Sequence, residues 1–205
     1  EVDGRPQITA MFYDDLDRLT KSVVLGTNGS GAGSDYNRSG ASPPSASPTE
    51  LVTEIVYNAD GTVLDSIDPR EKTTRTLYDD AGRRIASIAN YEGSSPTNDS
   101  DVFTRFAYED GHMTRMWVDL NGDNDVDSDD QVTDYVYGVS PGDDLPSQIY
   151  SNDLLQSVIY PAGQSSPDPE DRTVFYAYNA LGEQISTLDQ TGTQIDHAYD
   201  LGGRL

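Results

Sequence analysis

Apolar and polar residues alternate in short bursts along this chain. In "TVFYAY" (Thr173 to Tyr178) the rings of Tyr176 and Tyr178 fall on one side of an extended segment. Tyr135 and Tyr137, Phe106 and Tyr108, and Ile55 and Tyr57 are spaced the same way. A period of two is the mark of a strand with two different faces. Each burst ends in Gly, Asp, Asn or Pro, the residues that turn a chain. The pattern predicts many short strands joined by tight turns, with the tyrosines placed to pack across neighbouring strands rather than to contact a ligand.

The bursts repeat. The unit is Tyr-Asp/Asn, two variable residues, Gly, often Arg, then an aliphatic residue. Clean copies are "YNADGTV" (Tyr57 to Val63), "YDDAGRRI" (Tyr78 to Ile85), "YNALGEQI" (Tyr178 to Ile185) and "YDLGGRL" (Tyr199 to Leu205). "YDDLDRLT" (Tyr13 to Thr20) carries Asp17 in place of Gly, and "YEDGHM" (Tyr108 to Met113) is one residue short. Tyr137-Gly138 marks a weaker copy. Tyr57 to Tyr78 and Tyr178 to Tyr199 are both 21 residues apart, and an Asp falls 11 residues after the first Tyr of each pair, at Asp68 and Asp189. Each unit therefore predicts a strand, a turn, a second strand and a second turn: one β-hairpin per repeat. The short polar residue after each Tyr starts a type I turn, and the Gly supplies a positive φ that closes the hairpin with a bulge. Asp17 can adopt that φ at higher cost.

Composition sharpens this picture. Of 205 residues, 13 are Tyr, 4 Phe and 1 Trp, with 18 Gly and 11 Pro, which favours strands and turns over helices. Acidic side chains number 36 against 13 basic, a net charge of −23. Such a chain repels phosphate, which argues against nucleic acid and anionic membrane surfaces as partners. It offers many hard oxygen ligands to divalent cations. There is no cysteine, so disulfide, thiol and zinc-thiolate chemistry are excluded. No apolar run is long enough to cross a membrane as a helix. The chain opens "EVDGRPQITA", without Met or a signal peptide, and stops within a repeat unit. A piece of a longer array, whose targeting signal lies elsewhere, is the expectation.

The copies are unevenly spaced because of insertions. Residues 26–50 are rich in Gly, Ser and Pro and read as a flexible surface loop, with shorter versions at 92–100 and 163–171. Asn-x-Ser sequons occur at Asn28, Asn37 and Asn98 and matter only in a glycosylating pathway. The insertion at 119–130, "DLNGDNDVDSDD", differs in kind. It sets Asp119, Asn121, Asp123, Asp125 and Asp130 at positions 1, 3, 5, 7 and 12, the spacing of a calcium loop. Asp127 at position 9 would act through water, and Val126 at position 8 would turn inward. Six carboxylates in twelve residues repel one another, and a bound cation relieves that. Asn124 replaces the usual Gly at position 6, and Asn tolerates a left-handed turn. Asp130 at position 12 resembles the dockerin type of loop. The flanks "HMTRMWV" and "QVTDYVYG" read as strands, so Ca2+ is expected at a hairpin tip with Asp119, Asn121, Asp123, Asp125 and Asp130 as ligands. The competing reading is an acidic, solvated turn.

Little else suggests chemistry. His112 and His197 are far apart and read as partly exposed sheet residues, and Trp117 reads as a packing anchor. No Gly-x-Ser-x-Gly elbow, phosphate loop or zinc motif occurs, and no pair among the 36 acids stands out as catalytic. Arg18, Arg83 and Arg204, just after the turns, are expected to pair with neighbouring acids on the sheet surface.

"YNALGEQISTLDQTGTQIDHAYDLGGRL" (Tyr178 to Leu205) resembles consecutive units of the YD-repeat, or RHS-repeat, family, and "YVYGVSPGDDLPSQIYSNDLLQSVIYPAG" resembles a phrase of its bacterial members. The resemblance covers roughly three quarters of the chain. It implies stacked hairpins in one long twisted antiparallel sheet, which in bacterial toxins and teneurins spirals into a hollow shell. Some bacterial shells enclose a C-terminal toxin. Some members also cleave themselves near an Asp-Pro-x-Gly-Leu motif; "PDPED" (Pro167 to Asp171) shares only its Asp-Pro pair, so that activity does not carry over. The expectation is an all-β array over residues 1–205, a non-enzymatic part of a secreted or cell-surface bacterial protein. Its partners would be neighbouring repeats, other copies, or an enclosed cargo or toxin domain. The rival expectation is an adhesion module that binds carbohydrate or protein through exposed Tyr-rich faces.

Overall fold

The computed structural model describes residues 7–27, 51–93, 101–162, 168–200 and 202–204. Residues 28–50 of the Gly/Ser/Pro-rich insertion and all three sequons lie outside these. The expected all-β architecture is present: thirteen strands form one antiparallel sheet, and the order of strands in the sheet is their order in the chain. That order follows from the repeat, in which consecutive strands pair whether a short turn or a longer insertion joins them. The chain divides into two compact units, Glu1–Phe103 and Thr104–Leu205.

The first unit holds β1 (Gln7–Tyr13), β2 (Leu19–Thr27), β3 (Leu51–Tyr57), β4 (Val63–Ile67), β5 (Thr73–Tyr78) and β6 (Arg84–Ala89). Its apolar core is a cross-strand row. Ala10 faces Val23 across β1 and β2, and Val23 faces Val52 across β2 and β3. All three are buried, Val23 completely, and Phe12 packs against them. A second row runs through Asp65, Arg75 and Ile88 on β4, β5 and β6. There Arg75 grips both carboxylate oxygens of Asp65 at 2.7 Å and donates to the Tyr91 hydroxyl at 2.7 Å.

The second unit holds β7 (Val102–Glu109, whose first two residues precede the boundary), β8 (His112–Asp119), β9 (Gln131–Val139), β10 (Ser151–Ile159), a 3-10 turn at Glu170–Arg172, β11 (Thr173–Tyr178), β12 (Gln184–Leu188) and β13 (Gln194–Asp196). Trp117 on β8 is buried opposite Val132 on β9, as expected of a packing anchor. The acidic insertion 119–130 joins β8 to β9, at a hairpin tip between strands.

The repeat turns take the predicted form. At Tyr13, Tyr57, Tyr78 and Tyr178 the strand register slips by a bulge. Gly61, Gly82, Gly182 and Gly203 have positive φ, and Asp17 stands in for Gly at φ 59°. The short copy is short for a reason: Asp110 and Gly111, at φ 48° and 87°, form the two-residue turn whose twist suits a hairpin, so one loop residue is dispensed with. Tyr137-Gly138 departs from expectation. It lies inside β9, and the chain turns later, where the Asp143 carboxylate accepts hydrogen bonds from the Ser140 N–H and hydroxyl. That longer loop folds back on the next repeat: the Tyr178 N–H donates to the buried Ser147 hydroxyl, and the Gln148 N–H to the Tyr178 carbonyl.

Candidate functional site

The acidic loop closes on itself through backbone N–H groups. Asp119, at the end of β8, is buried to 2% exposure and accepts from the Gly122 and Asn124 N–H groups. Its second oxygen also meets the Arg105 guanidinium at 2.5 Å. Burial pushes the Asp119 carboxyl up, but the Arg105 guanidinium and the two N–H donors outweigh it and hold the group below its ordinary value. Asn124, at position 6, is left-handed at φ 73°, as its place in the loop requires. The Asp123 N–H donates to the Asn121 side-chain oxygen, and the Asp125 N–H to Asp123. The Asn121 amide donates in turn to Asp123 at 3.1 Å and Asp127 at 2.7 Å, easing the repulsion between them. Asp130 accepts from the Leu120 and Asp127 N–H groups and so ties the end of the loop to its start.

The five expected ligands thus share one closed loop but do not share one point. Among the described residues no three carboxylate or imidazole groups converge in a metal-holding arrangement. Asp119 turns toward Arg105, while Asp123 and Asp127 gather around the Asn121 amide. Val126 is 43% exposed and does not turn inward as expected. Backbone hydrogen bonds to the aspartates, rather than an apolar plug, close the loop.

The repeat turns use one device throughout. In "YDDLDRL", the Asp14 carboxylate accepts the N–H of Leu16 and of Arg18 on one oxygen and the Arg18 guanidinium on the other. Asp79 does the same with Ala81 and Arg83, and Asp200 with Gly202 and Arg204. So Arg18, Arg83 and Arg204 pair with neighbouring acids as expected, and in each case the acid is the Asp that opens the same turn. Where the repeat reads Asn179, the charge partner changes to match: the Asn179 oxygen caps Leu181 and Glu183, and its amide donates to the Glu183 carboxylate at 2.6 Å. Asn58 likewise donates to the Thr62 hydroxyl. The signal lay in the sequence as a coupled choice four residues apart, Asp with Arg and Asn with Glu or Thr, though the sequence reading missed it. Asp68 and Asp189 build the same turn on the opposite rim, as expected.

The tyrosines join one strand to the next. The Tyr57 hydroxyl donates to the Leu19 carbonyl, Tyr178 to Leu155 and Tyr199 to Gln184, each at 2.9 Å. Leu19 and Gln184 occupy the same place, six residues after Tyr13 and Tyr178. Rings are covered by cations and imidazole: Arg18 lies 4.4 Å over Tyr57, Arg75 4.0 Å over Tyr91, and His112 stacks on Tyr137 at 4.4 Å. Burial raises the pKa of Tyr135, Tyr176 and Tyr178, and their tyrosine neighbours add to the shift.

An open groove of about 650 Å³ crosses β8, β9 and β10, lined in part by His112, Thr114, Arg115, Asp134, Tyr137 and Asn152. The His112 ring also lies 3.2 Å from Asp153, a largely exposed carboxylate. His197 falls just past β13, where its N–H continues the pairing to Ile185.

No family model matches the chain, and no curated protein matches it. Solved structures do. Crystal structures of TcdB2-TccC3-Cdc42, of TcdB2-TccC3 without its hypervariable C-terminal region and of TcdB2-TccC3 align with 89%, 89% and 87% of this chain at 15% identity, with TM-scores of 0.41, 0.39 and 0.40. The chain spans 9% of the length of each. The functional reading below rests on the chain's own geometry.

Proposed function

We propose that this chain is a structural segment of a large YD-repeat-type protein, without catalytic chemistry of its own, secreted or displayed at a cell surface. One observation carries this reading: the Tyr-Asp/Asn joint recurs, the Asp or Asn capping its own turn while the hydroxyls of Tyr57, Tyr178 and Tyr199 reach the neighbouring strand. Side chains committed in that way build a scaffold. The full protein would use such a sheet as a shell or span, enclosing a cargo or toxin domain or reaching a contact surface. Tyr57→Phe and Tyr178→Phe each remove one joint hydrogen bond and leave a carbonyl unpaired. Each is expected to cost about 1 kcal/mol in denaturant unfolding. No loss at either position would remove the basis of the scaffold reading.

Calcium belongs to the same proposal. The left-handed Asn124 and the loop N–H groups held by Asp119, Asp123 and Asp130 are the support for it. Ca2+ would take oxygens now held by N–H groups and would relieve the repulsion among the acids. Calorimetric titration, with thermal unfolding in calcium and in chelator, tests this. Binding with a raised Tm, both abolished by Asp119→Ala with Asp123→Ala, is the expected result. No heat at millimolar calcium would leave the loop a hydrogen-bonded acidic turn.

The adhesion reading has one observation in its favour, the groove beside the His112–Tyr137 stack, where an aromatic surface lies near Asn152, Asp134 and Arg115. Resonance shifts confined to those residues on addition of a sugar panel would support it.

A further inference from the structure

The protein itself shows how it holds a guanidinium. Twice a carboxylate and a tyrosine ring share one: Arg18 is gripped by Asp14 and lies 4.4 Å over Tyr57, and Arg75 is gripped by Asp65 and lies 4.0 Å over Tyr91. The carboxylate fixes the charge and the ring covers the flat face.

The open groove of about 650 Å³ on β8, β9 and β10 offers the same two parts, with room for a further guanidinium. His112 stacks on Tyr137 at 4.4 Å, and one oxygen of Asp153 meets the His112 ring at 3.2 Å. The ladder between interior strands is broken to bring that acid there. Ser151 on β10 faces Val139 and Leu155 faces Tyr137, so Asn152, Asp153 and Leu154 bulge opposite Gly138 alone, whose φ is 104°. Such a bulge re-aims side chains. This one sets Asn152 in the groove wall and Asp153, 86% exposed, against the imidazole. Glu109, Asp110 and Asp134 line the same groove with Arg115, which Asp134 already holds. Counting Asp153, four carboxylates meet one guanidinium.

We propose that this groove binds an arginine side chain from a basic segment of a partner protein, the guanidinium stacking on the His112–Tyr137 pair and bonding to the Asp153 carboxylate. It rests on the adhesion reading of the groove, with protein rather than sugar as the partner, because a neutral sugar draws nothing from the excess of carboxylates. The net charge of −23 attracts a basic segment from a distance. Ring and carboxylate then select arginine over lysine, whose ammonium is a point charge with no flat face to stack.

Resonances of the 205-residue chain, followed as the end-capped peptide Gly-Arg-Gly-Arg-Gly is added, test this. Shifts centred on His112, Gly138, Asn152 and Asp153 are expected, with an affinity that falls as salt rises. The same peptide with lysine for arginine binds about threefold more weakly. Glu109→Gln with Asp153→Asn weakens arginine binding about fivefold or more. Asp15→Asn with Asp80→Asn removes the same charge from the first unit and leaves binding within about twofold. All four side chains are on exposed residues, so the folds survive. Equal binding of the two peptides, or equal loss in the two double variants, would mean unselective attraction to an acidic chain and overturns the proposal. If neutral oligosaccharides shift these residues and the arginine peptide does not, the proposal falls and the adhesion reading stands. No response to peptide or sugar sinks both.

Discussion

At the scale of single residues, several positions carry strain or charge that a small substitution exposes. Glu71 sits at φ 63° in the second-rim turn after Asp68, a conformation that costs a side chain with Cβ about 1–2 kcal/mol. Glycine avoids that cost but loses more chain entropy on folding, so Glu71→Gly is expected to stabilise the protein by about 1 kcal/mol in denaturant unfolding. Charge acts more strongly. Asp65 is 8% exposed and is gripped by Arg75. Arg75→Met leaves that carboxylate buried and alone, a loss of about 3–5 kcal/mol, whereas Asp65→Leu with Arg75→Met together is expected to be near neutral. Arg105→Met does the same to Asp119. If the loop takes calcium, the ion replaces the missing cation, and the variant's Tm rises more steeply with calcium than the wild type's. Equal slopes would argue that Asp119 faces Arg105 and no metal. At this scale the left-handed Asn124 and Asp17 were legible, because few residue types tolerate that φ. The Asp119–Arg105 pair was not, since it joins different strands and no sequence spacing announces it.

At the scale of elements, the turns govern the response to acid. Hydrogen bonds from the backbone and guanidinium of Arg18 hold the Asp14 carboxyl below its ordinary 3.8, and Arg83 and Arg204 act likewise on Asp79 and Asp200. A carboxylate with a depressed folded pKa contributes stability above its unfolded pKa and loses it as pH falls through the folded value. The contribution of these turns to thermal stability is therefore expected to be full and independent of pH near neutrality and to fall away from about pH 4 downward. Asp79→Asn should flatten that acid limb. The Asn179–Glu183 turn offers a sharper check. Asn179→Asp alone sets two carboxylates together and lowers Tm, and adding Glu183→Arg rebuilds the Asp-Arg fork and restores it. A double variant no better than the single one would show that the fork contributes nothing. The hairpins were legible because turn chemistry is local: Asp or Asn, then Gly, specifies the turn without reference to anything distant. Tyr137-Gly138 misled for the same reason. Its Gly has the expected positive φ, 104°, but sits inside β9, and the turn is set by Ser140 and Asp143 further on.

At the scale of the whole molecule, one hairpin rule repeated along the chain gives the thirteen-stranded sheet, and that rule could be read from a 21-residue spacing. What spacing could not show is how neighbouring strands are fastened. The tyrosines read as rings that pack, and they do, but the hydroxyls of Tyr57, Tyr178 and Tyr199 also cross to carbonyls of the preceding strand. The central claim is that these joints make the chain a continuous scaffold. Hydrogen exchange on the intact chain tests it most directly. The account predicts slow exchange for the turn amides of Asn58, Asp79 and Asn179, which donate to Thr62, Arg83 and Glu183, at rates comparable to the flanking interior strands, with β13 exchanging fastest. Turn amides that exchange at the rate of an unfolded chain, while isolated strands stay protected, would contradict it.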